Sequence, residues 1–171
     1  VNHSKITFHN RYGITLAADL YMPKNATGKL PAIAVSGPFG AVKEQASGLH
    51  TQELAKRGFL TIAFDPSFTG ESGGQPRYVA SPDINTEDFS AAVDYLSTRD
   101  DVNPEQIGIL GICGWGGLAI NAAAIDTRIK ATVAATMYDI SRCTANGYFD
   151  AADNTDARYG MRQTLNAQRT E

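Results

Sequence analysis

The residue best placed to do chemistry is Cys113, in the run Ile107 to Gly117 that reads I-G-I-L-G-I-C-G-W-G-G. An apolar segment breaks there into a glycine-dense turn, and Leu118 to Ala124 beyond it is a strong helix former. A thiol at such a junction lies at a helix N-terminus, where the helix dipole favours the thiolate, the reactive form of cysteine. Exposing a side chain on so sharp a turn strains its backbone and requires small residues two before and two after it. Two registers compete. With Cys113 in the exposed seat, Gly111 fits but Trp115 is bulky; with position 115 in the seat, Cys113 and Gly117 both fit, but tryptophan cannot attack a carbonyl. Cys113 as a small buried hydrophobe is a third use of the same residue.

A thiol nucleophile needs a base held by a third group. The three histidines, His3, His9 and His50, all precede Cys113, and each reads as a solvated or packing residue. No pair of histidines has metal-ligand spacing, and neither Cys113 nor Cys143 has a partner two to four residues away, so no metal is expected. No cofactor is expected either. Glycines 108, 111, 114, 116 and 117 do not make G-x-G-x-x-G, and about 20 residues on, where an acid would hold a ribose, the chain reads Ile129-Lys130-Ala131.

The elements that must position Cys113 follow from the chain order. Lys5 to His9 and Ile14 to Tyr21, separated by Asn10-Arg11-Tyr12-Gly13, predict an antiparallel hairpin. Pro31 to Gly37 and Phe59 to Asp65 are apolar without alternation, as strands buried on both faces are. Glu44 to Arg57 predicts a helix closed by Gly58, and Thr86-Glu87-Asp88 the cap of another that runs to Ser97. Ile107 to Ile112 and Ala131 to Met137 are the next strands, with a helix over Gly117 to Ala124 between them. Strands alternating with helices after a hairpin predict an α/β fold with a doubly wound, mainly parallel sheet. Residues 1–143 are expected to form its core, with six strands, and the polar residues 144–171 a peripheral helical or lid segment.

The chain has 171 residues, 43% hydrophobic and 19% charged, which suits one soluble domain. A net charge of −3 argues against a nucleic-acid partner. No apolar run reaches the roughly 18 residues that span a bilayer, so no membrane is expected. With two cysteines and no leader, the expectation is a cytoplasmic protein.

Four motifs in order resemble the α/β-hydrolase superfamily, in particular its bacterial dienelactone-hydrolase-like branch. The hairpin I-T-F-H-N-R-Y-G-I-T-L-A-A-D-L-Y-M-P is similar to the family's first two strands. S-G-P-F-G at Ser36 to Gly40 occupies the place of the oxyanion loop, and F-D-P-S-F-T-G-E-S-G-G at Phe64 to Gly74 that of the loop after the fourth strand, without its usual arginine. G-I-C-G-W-G-G sits at the nucleophile elbow.

The resemblance implies a hydrolase of esters, thioesters or lactones acting on a small acyl substrate, with Cys113 as nucleophile. Backbone N–H groups of Gly114 and Phe39 would hold the oxyanion, Gly40 being the reserve because Pro38 has no N–H. Asp139, after the strand that begins at Ala131, is the candidate acid, although ending a strand is itself a common use of aspartate. Phe68, Trp115 and Tyr138 would line an apolar pocket at the carboxyl ends of the strands. The family places its histidine after two further strands that this chain lacks. The implied partner is therefore the rest of a longer polypeptide, or a second chain, completing the sheet. The alternative is an inactive, hydrolase-like binding protein with Trp115 in the nucleophile seat.

Overall fold

The computed structural model describes residues 1–171 and divides into two compact units, Val1–Met137 and Tyr138–Glu171. The first unit is one six-stranded sheet in the order β1-β2-β4-β3-β5-β6. Its strands are β1 Asn2–His9, β2 Thr15–Met22, β3 Leu30–Ser36, β4 Leu60–Phe64, β5 Val102–Ile112 and β6 Ile129–Ala135. β1 and β2 form the antiparallel hairpin, β2 also runs antiparallel to β4, and β4, β3, β5 and β6 are mutually parallel. The doubly wound α/β sheet with an antiparallel hairpin, read from the alternation of elements, is the fold observed.

Three helices connect the parallel strands: α1 Ala46–Lys56, α2 Pro82–Ser97 and α3 Gly114–Ile125. Strand side chains alternate between faces, so each buried strand feeds two cores. Ala32, Ala34, Leu60, Ile62, Phe64, Ile107 and Ile109 pack with Phe89, Val93 and Leu96 of α2 and Ala119 and Ala122 of α3. On the opposite face, Val35, Leu110 and Ile112 pack with Ala46 and Leu54 of α1. Two-sided burial explains why β4, Leu-Thr-Ile-Ala-Phe, is buried at every position. β6 closes one edge of the sheet, with Lys130 to Val133 exposed.

β1 begins earlier than expected, at Asn2, and β6 lies two residues earlier, at Ile129–Ala135; three further boundaries differ for identifiable reasons. α2 begins at Pro82, not at Thr86, with Ser81 as N-cap: its hydroxyl accepts from the Ile84 N–H at 3.5 Å. Proline is favoured at the first helical position, where its missing N–H costs nothing. Glu87 and Asp88 are therefore buried helix residues, not caps. β5 begins at Val102, through a half-exposed or exposed stretch over 103–106 that carries no apolar signal. α3 begins at Gly114, because the elbow turns directly into the helix and the glycines 114, 116 and 117 belong to its first turns.

The second unit is α4 Ile140–Asn146, a single 3-10 turn at Tyr148–Asp150 and α5 Thr155–Ala167. None of these elements has a buried residue. Polar bonds hold it: Asn154 caps α5 by accepting from the Asp156 and Ala157 N–H groups at 3.0 Å, and Arg142 pairs with Asp150.

Candidate active site

At the end of β5, Cys113 has φ 59° and ψ −125°, a strained conformation for any residue with a Cβ, and is the N-cap of α3. Its N–H donates to the Ala135 carbonyl of β6 at 2.8 Å, and its carbonyl accepts from the Gly116 N–H at 3.0 Å. Backbone bonds to two elements thus hold the strain in place. The side chain is half-buried and free of disulfide. Trp115 lies two residues into the helix, 3% exposed and within the core. Of the two positions, Cys113 carries the positive φ at the junction and Trp115 is a buried residue of the helix.

The two steric conditions of the elbow are met in different ways. Gly111 cannot carry a side chain, since a Cβ there would lie 2.2 Å from the Trp115 carbonyl oxygen and 2.8 Å from the Ala119 Cβ. Trp115 is large, and its ring is taken up by the core; its Cβ faces Gly37, where a Cβ would lie 3.0 Å from it and 2.4 Å from the Ile112 carbonyl oxygen. Gly37 also has φ +104°, a value L side chains avoid. The Trp115 indole Nε1 is buried with no hydrogen-bond partner.

Gly37 opens the turn between β3 and α1, which carries Phe39. The Phe39 ring is half-exposed and meets the Trp115 ring edge-on, centroids 5.3 Å apart. This contact brings the turn beside the elbow. The Phe39 N–H makes no internal hydrogen bond, and the Gly114 N–H is one of the unpaired donors at the start of α3. Both expected oxyanion donors are therefore unspent.

Phe68 is buried, with φ 72° and its ring against Gly74, whose absent Cβ would lie 2.5 Å from it. Tyr138 lines a cleft of the second unit with Arg142, Cys143, Tyr148 and Phe149. Asp139 lies in the same unit and caps α4, accepting from the Arg142 N–H at 2.9 Å and the Ser141 hydroxyl at 2.6 Å. Those bonds, Ser141 foremost, hold its carboxyl below the ordinary aspartate range.

Each of two histidines is engaged locally. His50 Nδ1 is 2.8 Å from the Ala46 carbonyl of its own helix, and His3 Nε2 is 2.9 Å from Asp19. No group of three His, Cys, Asp or Glu side chains is arranged to hold a metal, and no helix is long and apolar enough to cross a membrane.

Two buried polar clusters brace the loops around the site. Lys43, 1% exposed, donates from Nζ to Asp65, Glu71 and Glu44 at 3.0, 2.7 and 2.8 Å. Burial alone would lower its proton affinity, but these three bonds hold it well above the ordinary lysine range. Glu71, half-exposed, also accepts from Lys5 at 3.0 Å, and the two lysines bring its carboxyl down to about 2. In the second cluster Asp88, fully buried, accepts from Ser67 N–H (2.8 Å), Ser67 hydroxyl (2.7 Å), Asn10 (2.9 Å) and Asn85 (3.1 Å). No cation faces it, and burial pushes its carboxyl up against the pull of those donors. Sequence reading missed Lys43 and Asp88, because a charged residue in a polar-looking segment reads as solvated until its partners are known.

A family model described as X-Pro dipeptidyl-peptidase (S15 family) matches residues 12–171. The chain belongs to that S15 family. Its fold is the α/β-hydrolase fold: the α/β hydrolase GrgF from Penicillium sp. sh18 superposes with a TM-score of 0.73 at 26% identity, over 77% of this chain and 45% of that one. The crystal structure of PA2218 from Pseudomonas aeruginosa superposes with a TM-score of 0.95 at 63% identity, over 99% of this chain and 53% of that one. In sequence, PA2218 is 68% identical over 152 residues, 88% of this chain and 41% of PA2218. YcjY of Escherichia coli is 42% identical over 159 residues, 91% and 52% of the two chains. The thiohydrolase aneE of Aspergillus aculeatus is 34% identical over 128 residues, 75% and 39%. The S15 chain thus spans about half the length, or less, of the curated relatives it matches.

Proposed function

We propose that this chain carries the nucleophile and oxyanion donors of a hydrolase that cleaves an ester, thioester or lactone. The observation behind it is the backbone of Cys113, held at φ 59° and ψ −125° at the strand–helix junction. Such strain is kept where the surroundings enforce it and an exposed side chain has a use. The sulfur attacks the substrate carbonyl as thiolate, and the Gly114 and Phe39 N–H groups stabilise the tetrahedral oxyanion. The alcohol or thiol leaves with a proton, giving an enzyme thioester. Water then releases the carboxylic acid and restores the thiol. A thiohydrolase among the relatives supports thioesters within this range.

The base that takes the thiol proton is supplied from outside these residues, by polypeptide beyond them or by a second chain that completes the sheet beside β6. The relatives' greater length supports this. The test is p-nitrophenyl ester hydrolysis by the full-length protein and its Cys113→Ala variant. The wild type is expected to release nitrophenol and the variant to lose at least about a thousandfold in rate, as removal of a nucleophile does. Equal rates in the two proteins, or none in the wild type, reject the proposal.

A further inference from the structure

We propose that Lys43 is the positioning residue of the oxyanion turn: pinned between Asp65 and Glu71, it fixes the turn from Gly37 to Val42 so that the Phe39 N–H stays beside Cys113. This rests on the thiol hydrolase reading above.

The turn joins β3 to α1 and is tied at both ends. At its start the Gly37 carbonyl accepts from the Ser47 hydroxyl of α1. Within it, Ala41 N–H donates to the Pro38 carbonyl at 3.1 Å, and Val42 N–H to the Gln45 side chain at 3.1 Å. At its end Lys43 is held twice by one carboxylate: its N–H donates to Asp65 Oδ1 at 2.7 Å and its Nζ to Asp65 Oδ2 at 3.0 Å. Asp65 is fully buried directly after β4, and it also accepts from the Glu71 N–H at 2.9 Å. α1 presses on the same point, since a Cβ on Gly48 would lie 2.7 Å from the Lys43 carbonyl oxygen. The turn that carries Phe39 is thus registered against the neighbouring strand β4 through one side chain.

The ammonium has three protons and three carboxylates within hydrogen-bond distance. It is 1% exposed, so it neither reaches substrate nor exchanges a proton with it. An apolar side chain would fill the same volume without the cost of burying a charge. What the charge adds is a second tie: beside the backbone N–H bond to Asp65, the ammonium binds the end of the turn to carboxylates of two other segments, which methionine would not.

The experiment uses the full-length protein with Lys43→Met and Lys43→Arg. It reads Cys113-dependent ester hydrolysis and hydrogen exchange over 38–45. In Lys43→Met, kcat is expected to fall at least about tenfold with KM within about twofold of wild type, since losing one oxyanion donor outright costs about a hundred- to a thousandfold in kcat. Exchange is expected to rise in 38–45 and to stay unchanged in α2 and β5. Lys43→Arg, which keeps the charge, recovers part of kcat and part of the protection. Wild-type kcat and wild-type protection in a folded Lys43→Met protein overturn the proposal, as does an exchange increase spread evenly over Val1–Met137. If Lys43→Met does not fold, Glu71→Gln, at a half-exposed position, takes its place with the same expected signs. If the wild type shows no Cys113-dependent turnover, the hydrolase reading falls, and the exchange readout still decides whether Lys43 fixes the turn.

Discussion

Replacing Gly111 by alanine should unsettle the elbow, while the same replacement six residues later, at Gly117, should strengthen it. A Cβ on Gly111 would lie 2.2 Å from the Trp115 carbonyl oxygen and 2.7 Å from its carbonyl carbon. Both are backbone atoms of the first turn of α3, so no rotamer change gives relief. Gly111 is not among the positive-φ residues, and the whole cost is therefore steric. Forcing a methyl group into a well-packed core costs about 1–3 kcal/mol. For a chain of this size each kcal/mol moves Tm by about 2–4 °C, a loss of about 2–12 °C. Gly117, within α3, has nothing within 4 Å of its would-be Cβ and no positive φ. Alanine there removes unfolded-state freedom at no steric cost and should stabilise by about 0.5–1 kcal/mol. Thermal unfolding followed by near-ultraviolet circular dichroism, with urea unfolding as a second measure, separates the two. Alkylation of Cys113 should also change rate in Gly111→Ala, since the junction must shift to admit the methyl. A Gly111→Ala protein at least as stable as wild type would refute the packing account of the elbow.

Two further outcomes follow from the polar and aromatic clusters. Glu71 has its folded-state pKa lowered from 4.5 to about 2, so its contribution to stability is present above the unfolded value and is lost as pH falls from about 4.5 towards 2. Glu71→Gln should therefore lose less stability than wild type across that window in acid titrations of the unfolding midpoint; equal slopes would contradict the pairing with Lys43 and Lys5. Trp115→Phe removes an indole N–H that has no partner and should change stability by no more than about 1 kcal/mol, the lost ring area offset by the relieved donor. Trp115→Ala should cost about 3–5 kcal/mol in the same urea assay, and a Trp115→Phe cost of that size would mean the N–H is bonded after all.

The sheet was legible because its signals are local. Two-sided burial leaves apolar runs at Ala32 to Val35 and, broken only by Thr61, at Leu60 to Phe64, and the hairpin turn announces itself at Asn10 to Gly13. The elbow was legible for the same reason, since strand, glycine and helix follow one another within a dozen residues. What stayed open was the register, which depends on whether Trp115 can be tolerated. The ring is taken up by a core drawn from distant segments, and its Cβ faces Gly37, nearly eighty residues away; no local pattern reports either contact. Ser81 as the true cap of α2 was hidden by the acidic Thr86-Glu87-Asp88, a better capping sequence that the fold uses instead for burial. Lys43 and Asp88 were invisible because burial of a charge depends on partners from distant segments, Asp65 and Glu71 for one, Asn10 and Ser67 for the other.

Gly37 and Trp115 are constrained for different reasons, one by backbone and one by packing. Gly37 is locked twice over, by its φ of +104° and by the Ile112 carbonyl 2.4 Å from any Cβ, and neither constraint involves the indole. Shrinking Trp115 would therefore not release Gly37, and keeping Gly37 does not free position 115, whose ring belongs to the core. A smaller side chain at 115 would leave a cavity in the core and remove the ring that Phe39 meets edge-on. A directed-evolution library should therefore hold 37 constant and confine 115 to large apolar side chains that keep the core filled. The residue that first looked like an obstacle to the elbow is part of the core that supports it.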